Sequence, residues 1–157
     1  MGNEFPEAEY VKRTFTIREM DFPPEVAMTK RSLLRWFCLS FGLISEKESR
    51  STIIDVLDAI FHYQISKNIA PTVPELLQHL RYNQKKVDEK LLRYHLKRLI
   101  DVGLIERKKG KHSFVNAPDS ERGNIVKGFE HNIGIPVQES VKRVSKALEK
   151  LRDNYKK

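Results

Sequence analysis

The middle of the chain carries apolar residues at the spacing of an amphipathic helix. Between residues 46 and 67 they recur every three or four positions, with polar residues in between. Ser45 and Glu48, at the start of this stretch, have the spacing of a capping box, and Asn68 and Pro71 follow it. We therefore predict a helix over residues 46–67. Its buried face is expected to consist of Ile53, Val56, Leu57, Ile60, Phe61 and Gln64.

Two further helices are predicted next. Thr72-Val73-Pro74-Glu75 repeats the capping-box spacing, with a proline in the first turn, where its missing N–H costs nothing. This predicts a short helix that ends near Tyr82. A third helix is expected over about 86–102, with Gly103 just beyond its end. Its inner face is expected to consist of Leu91, Leu92, His95, Leu96, Leu99 and Ile100.

The third helix is followed by the pattern of a small hairpin. Residues 104–108 and 111–115 are two short stretches with apolar and basic residues, separated by Lys109-Gly110. A glycine-containing pair between two such stretches is typical of a tight turn between antiparallel strands. We predict two short strands around a basic glycine turn.

The N-terminal part differs in character. Residues 1–28 contain three prolines, which disfavour a long helix, and polar and apolar residues roughly alternate around Phe15, so we expect a short strand or an extended arm. Thr29 is then a suitable N-cap for a helix over Lys30–Phe41 that ends near Gly42. Apolar residues cover most of the circumference of this helix, which predicts burial on more than one side.

The C-terminal part combines a weak helix with a strong one. We predict a short helix over residues 119–132, interrupted by Gly123 and Gly128. A second helix is predicted to begin at Pro136 and to run to about Tyr155. The apolar residues of the last helix alternate at spacings of four and three, the heptad pattern of a helix that pairs with one partner helix. They are Val137, Val141, Val144, Leu148, Leu151 and Tyr155.

These two outer helices have alternative partners. The helix over 29–43 and the helix over 136–155 either join two copies of the chain in a homodimer or pack on each other within one protomer. We expect the homodimer.

The order of helix, helix, helix and glycine-tipped basic hairpin resembles a winged helix-turn-helix. Glu75-Leu76-Leu77-Gln78-His79-Leu80 is similar to the second helix of archaeal and bacterial winged-helix regulators. His95-Leu96-Lys97-Arg98-Leu99-Ile100-Asp101-Val102-Gly103-Leu104-Ile105-Glu106-Arg107 resembles the end of the recognition helix and the first wing strand of the MarR, ArsR and PadR-like families. The resemblance covers about residues 46–116. The segment between Leu80 and Leu91 is longer than the tight turn of those families.

The segment ahead of this module has its own resemblance. Arg35-Trp36-Phe37-Cys38-Leu39-Ser40-Phe41-Gly42-Leu43-Ile44 is similar to the N-terminal helix of a group of euryarchaeal winged-helix regulators, the group that includes regulators of the archaellum operon. The expected fold is mainly α with a small β-hairpin wing, a winged helix-turn-helix with additional N- and C-terminal helices. The expected division is an arm over 1–28, an apolar helix over 29–44, a DNA-binding domain over 45–118 and a dimerisation segment over 119–157.

Composition narrows the possible functions. The formal net charge is +8 and the isoelectric point is near 9.6, which suits a polyanionic partner. A single cysteine, Cys38, excludes a disulfide or a cysteine-built zinc site within one chain, and we expect it to be a small buried hydrophobe. The five histidines lack metal-ligand spacing, and no nucleotide-binding or metalloprotease motif is present. We expect a cytoplasmic protein without cofactor, metal or enzymatic activity and without a membrane partner.

Positive charge concentrates on the third helix and the hairpin. Residues 84–112 hold ten basic and four acidic side chains, a net charge of +6. As a recognition helix, the third helix would present Lys86, Glu89, Lys90, Arg93, Tyr94 and Lys97 to the major groove. Arg93 is the first candidate for base readout, because guanidinium can bond both O6 and N7 of guanine. The expected phosphate or minor-groove contacts are Lys85, Arg98, Arg107, Lys108, Lys109 and Lys111.

The sequence therefore predicts a DNA-binding transcription regulator. Structural explanations remain open for the same residues. The basic face can simply be solvated, and His95 is expected to be a core histidine. The cluster of Trp36, Phe37 and Phe41 is expected to belong to the core or to an interface, in preference to an effector pocket. Two other functional classes stay open. A winged helix can also dock proteins, for example in contact with the basal transcription machinery, or bind RNA.

Overall fold

A computed structural model describes residues 4–121 and 123–157, and it is mainly helical with a small antiparallel hairpin. The helices are α1 (Lys30–Ser40), α2 (Thr52–Phe61), α3 (Val73–Tyr82), α4 (Glu89–Asp101), α5 (Ile125–Phe129) and α6 (Ile135–Tyr155). The strands are β1 (Ile105–Lys108) and β2 (Lys111–Phe114). The core lies between α1, α2, α3, α4 and the hairpin. Of the predicted inner face, α2 buries Ile53, Val56, Leu57 and Ile60 and half-buries Phe61, and Gln64 is buried in the turn that follows α2.

The N-terminal arm is extended, as one of the two predictions for it required. A 3₁₀ turn at each end, Pro6–Tyr10 and Pro24–Met28, brackets an extended stretch. Arg18 fastens this stretch to the core: its backbone N–H donates to the Ser40 carbonyl at 2.8 Å, and its guanidinium donates to the carbonyls of Leu39 and Ile44. Those carbonyls lie at or just beyond the C-terminal end of α1, where no following helical turn supplies N–H donors.

Helix α1 confirms the predicted N-cap. The Thr29 side chain accepts a hydrogen bond from the Ser32 N–H at 3.0 Å. Leu34 and Cys38 are buried, whereas Trp36 and Phe37 are only half-covered by the arm and by neighbouring helices. The helix is thus buried on one side and partly covered on another.

Helix α2 begins later than predicted. The Ser45 N–H does donate to the Glu48 carboxylate at 3.0 Å, but the pair closes a single turn instead of starting a helix. Residues 45–50 are all exposed, and Ile53 is the first residue after them that can be buried, so the helix starts at Thr52. At its other end it continues into one π-helical turn, His62–Ser66.

Helix α3 forms as predicted, with both halves of the capping box. The Thr72 N–H donates to the Glu75 carboxylate at 2.9 Å, and the Glu75 N–H donates to the Thr72 hydroxyl at 3.4 Å.

Helix α4 starts three residues after its predicted start. Asp88 is its N-cap and accepts from the Leu91 N–H at 2.8 Å, while Val87 just before it is buried in the core.

The hairpin forms around the predicted Lys109-Gly110 turn. Ile105 pairs with Phe114 and Lys108 pairs with Lys111, and both turn residues, Lys109 and Gly110, have positive φ, as a type I′ turn requires. A further feature was not predicted: the segment before α3 bridges to the outer side of β2. The His112 N–H donates to the Pro71 carbonyl at 2.8 Å, and Thr72 pairs with Lys111.

The C-terminal helices are joined more closely than predicted. Instead of an interrupted helix over 119–132, α5 continues through one π-helical turn, Glu130–Gly134, directly into α6. Gly128 does not break α5. It allows the helix to approach the chain after β2 closely, since a Cβ at this position would collide with the Val115 carbonyl oxygen. The Asn132 amide also donates to the Asn116 carbonyl at 3.0 Å.

Candidate nucleic-acid interface

Helix α4 divides into a buried face and a basic exposed face. Leu92, His95, Leu96 and Leu99 point into the core. The side chains predicted to read the major groove all lie on the exposed surface of α4 or just before it: Lys86, Glu89, Lys90, Arg93, Tyr94 and Lys97. The predicted division of this helix into inner and outer residues is therefore confirmed for these positions, except that Ile100 is exposed and Leu91 is only half-buried.

Two of these cations are paired along the helix. Arg93 Nε lies 3.1 Å from a Glu89 carboxylate oxygen, and Lys97 Nζ lies 2.9 Å from one of Asp101. At least half of each of these four side chains is exposed. Exposed pairs four residues apart contribute only about 0.3–0.5 kcal/mol, so either cation can leave its partner for a phosphate or a base at little cost.

The hairpin adds a second set of exposed cations. Arg107, Lys108, Lys109 and Lys111 are exposed, and Lys108 lies 3.2 Å from Glu106. His112 and Phe114 of the same hairpin are buried. The strands therefore present basic residues outward and fix the hairpin to the core through the residues between them.

The buried His112 of β2 senses charge from both elements. The residue is 3% exposed, and burial is the main cause that lowers its pKa. The backbone carbonyl of Pro71 opposes this effect, while the positive charges of Arg107 and Arg93 lower the pKa of His112 further. One guanidinium belongs to β1 and the other to α4, so both elements contribute positive charge to the electrostatic environment of His112.

Two predicted phosphate contacts are engaged elsewhere. The Arg98 guanidinium is partly buried and donates to the Leu43 carbonyl at 2.8 Å, so one of its nitrogens is already engaged within the protomer. Lys85 Nζ lies 3.6 Å from the Asp55 carboxylate of α2, which also binds Arg31 at 2.8 Å. Arg98 makes this contact because the chain following α1 covers that side of α4 and supplies a carbonyl without a helical hydrogen-bond donor.

The structure assigns internal roles to His95 and Cys38, as predicted. His95 is buried, with Nε2 2.6 Å from the Thr52 hydroxyl, and burial, aided by the charge of Arg98, lowers its pKa although Glu48 opposes this. Cys38 is fully buried, and burial raises the pKa of its thiol to about 12 despite Arg98 and Arg31. A thiol of this kind stays protonated and unreactive at neutral pH.

Sequence reasoning missed two residues that hold the hairpin in place. The Gln64 side chain is buried, and its amide oxygen accepts from the Phe114 N–H at 2.8 Å. Pro71 supplies the carbonyl that receives the His112 N–H. Gln64 lay on the predicted apolar face of the first central helix, and a polar residue on such a face signals a specific buried partner.

Within residues 4–121 and 123–157, no other segment covers most of the predicted seam of helix α6. Five of its six seam residues have between 52% and 87% of their surface exposed, and only Val137, next to the core, is half-buried. The alternative interpretation, that α1 and α6 pack on each other within one protomer, is therefore wrong. The exposed seam residues are Val141, Val144, Leu148, Leu151 and Tyr155.

The described residues provide neither a metal-binding group nor a membrane-spanning helix. Over residues 4–121 and 123–157, no three or more His, Cys, Asp or Glu side chains group in a way that could hold a metal ion. Within the same ranges, no helix has both the length and the apolar content needed to cross a membrane. In comparisons with known proteins, no family model, curated protein or solved structure matches the chain.

Proposed function

We propose that the protein is a sequence-specific double-stranded DNA-binding transcription regulator of the winged helix-turn-helix type. One observation carries the proposal: residues 86–111, which include α4 and the hairpin, expose eight lysine and arginine side chains. Four acidic side chains in the same segment reduce this charge but do not cancel it. Phosphates are the partner that such a surface attracts, through the release of condensed counterions.

The chain topology supports the winged-helix assignment. The order α2, bridging segment 71–72, α3, α4 and hairpin places a short extended piece between the first and second helices. That piece pairs with β2 and so fixes the hairpin beside the helices. A hairpin held in this way keeps a constant position relative to α4, which docking on a rigid duplex requires.

The proposed division of roles follows from the surface positions. In the proposed complex, α4 enters the major groove, where Arg93 bonds a guanine and Lys90, Tyr94 and Lys97 face neighbouring bases or phosphates. Arg107, Lys108, Lys109 and Lys111 of the wing bind the backbone. Arg98 takes no part, because its guanidinium is held by Leu43.

The regulator is proposed to act as a homodimer joined through α6. Written as heptads, the seam is flanked by Gln138, Ser140, Ser145, Ala147, Arg152 and Asn154. Only Arg152 among these is charged, and its Nε lies 3.2 Å from Asp153. A second copy of the same helix therefore meets little like-charge repulsion along the seam. Two copies would read two half-sites spaced about 34 Å, or one helical turn, apart.

Binding of the purified protein to random and selected DNA tests the proposal. DNA fragments retained by the protein from a random pool supply a preferred site, and fluorescence anisotropy then gives affinities for that site and for unrelated DNA. Arg93→Ala is expected to weaken binding to the preferred site by about 1–3 kcal/mol and binding to unrelated DNA much less. Lys109→Ala is the matched control, expected to weaken both alike and to lower the salt dependence.

A third variant separates base reading from charge. Arg93→Lys keeps the positive charge but loses the bidentate geometry, so it should retain non-specific binding and lose most of the preference. If Arg93→Ala and Lys109→Ala affected the two DNAs identically, α4 would not be the reading helix. Preferential binding of structured RNA, or no salt-sensitive DNA binding at all, would favour the RNA-binding or protein-docking class instead.

A further inference from the structure

A cavity of about 770 Å³ opens between α1, α2 with its π-helical turn, α3 and the end of the arm. None of the side chains proposed to contact DNA is among the described residues that line it. Half of its lining residues carry rings: Phe22, Trp36, Phe37, Phe61, His62, His79 and Tyr82. The volume falls within the range of about 300–1,000 Å³ that is usual for small-molecule sites.

Specific contacts hold these rings in position. The Trp36 indole N–H donates to the Asp21 carbonyl at 2.8 Å, and Phe22 meets the Trp36 ring edge-on with centroids 4.8 Å apart. Across the cavity, His62 and His79 stack with centroids 4.4 Å apart. The π-helical turn 62–66 contributes His62 and Ile65 to the wall, and such turns often occur at functional sites.

The charges in the cavity wall balance each other. Lys30 and Asp58 are the two lining residues that carry opposite full charges at neutral pH. Burial lowers the pKa of His79, and His62 lowers it further while Asp58 opposes this, which favours the uncharged imidazole. The wall therefore offers flat apolar faces and a few polar edges, with no excess charge for an ion.

We propose that this cavity binds a neutral, planar aromatic molecule that stacks among the rings of α1, α2 and α3. Stacked and edge-on rings gain contact energy beyond the burial of their area, and a flat molecule can meet several of these walls at once. A neutral molecule avoids the cost of taking a charge into a site without a net countercharge. The inference does not depend on DNA binding, and its test is independent of DNA.

The chain supplies its own reporter for this site. Trp36 is the only tryptophan, so its indole N–H gives a single resolved signal in a ¹H–¹⁵N correlation spectrum of the full-length protein. Titration with the neutral probe 2-naphthol is expected to move this signal to saturation. The anion 2-naphthoate, which has the same rings, is expected to bind at least several times more weakly. An unmoved Trp36 signal at the solubility limit of 2-naphthol, or equal binding of both probes, would overturn the proposal.

A matched pair of variants places the probe in the cavity. Ile65 lines the cavity and Ile69 does not, and both are partly exposed isoleucines near the end of α2. Ile65→Lys is expected to weaken 2-naphthol binding about tenfold, through loss of apolar contact, whereas Ile69→Lys leaves it unchanged. Equal effects of the two variants would place the probe elsewhere and refute the site.

A charge variant and a dilution series complete the test. Asp58→Asn removes the carboxylate from the wall, so 2-naphthoate should then bind more tightly than it binds the unaltered protein. If it did not, the charge balance would not set the preference and the proposal of a neutral ligand would fail. In the variant Leu148→Ala, whose α6 seam should no longer pair, a Trp36 signal that still moves with protein concentration in the absence of probe would identify a second copy of the chain as the occupant and would likewise overturn the proposal.

Discussion

Replacement of Leu148 by alanine provides the sharpest test of the proposed dimer. Leu148 lies in the middle of the α6 seam and is 62% exposed in the protomer, so its loss should hardly affect folding of one chain. Full burial of a leucine contributes about 1.5–3 kcal/mol. Burial of the exposed part of Leu148 therefore contributes about 1–2 kcal/mol per chain, or about 2–4 kcal/mol per dimer. Leu148→Ala should weaken dimerisation by about 30-fold to several hundred-fold.

Sedimentation equilibrium over a range of protein concentrations measures this change directly. Lys146→Ala is the control, because Lys146 lies on the same helix but outside the seam, and its dimerisation constant should stay within about twofold of the unaltered protein. Circular dichroism checks that both variants keep their helices. The reasoning would be refuted if the unaltered chain sedimented at 18.4 kDa at micromolar concentration, or if Leu148→Ala dimerised as well as Lys146→Ala.

Three further predictions concern stability. Thr72→Ala removes the cap of α3 and should lower the free energy of unfolding, measured with urea, by about 0.5–2 kcal/mol. Gly128→Ala should lower the melting temperature by forcing α5 away from the Val115 carbonyl, at a cost of about 1–3 kcal/mol; an unchanged melting temperature would contradict that contact. The pKa values of His95 and His112 are lowered in the folded state, mainly by burial. Stability should therefore be full above about pH 6.5 and fall as the pH drops toward these lower values, because the unfolded chain binds protons first; a urea midpoint equal at pH 7.5 and at about pH 5.5 would disprove this.

Local signals predicted the elements where few competing contacts exist. The Thr72 and Glu75 capping box, the turn at Lys109-Gly110 and the glycine after α4 depend on neighbouring residues alone, and each forms as expected. Ser45 and Glu48 show the limit of such signals. Their hydrogen bond is present, but a helix also needs apolar residues to bury, and these begin only at Ile53.

Part of the candidate interface was predictable because it depends on local sequence patterns alone. Exposure of Arg93 and Lys97 follows from the period of α4, which places leucines on the opposite side. The contact of Arg98 with the Leu43 carbonyl was not predictable from local patterns, because the two residues are 55 positions apart in the chain. The bridge between residues 71–72 and β2 is another long-range contact, and no local pattern announces it.

The unbroken passage from α5 through the π-helical turn into α6 would constrain the DNA that the proposed dimer recognises. Gly128 and Asn132 attach this helix to the body beside the wing, and α6 then extends for 21 residues, about 30 Å. In the proposed dimer, the two continuous α5–α6 helices, which contain no flexible linker, would set the distance between the two DNA-binding domains. An operator lengthened by half a helical turn between its halves would turn one half to the far side of the duplex, out of reach of the second head.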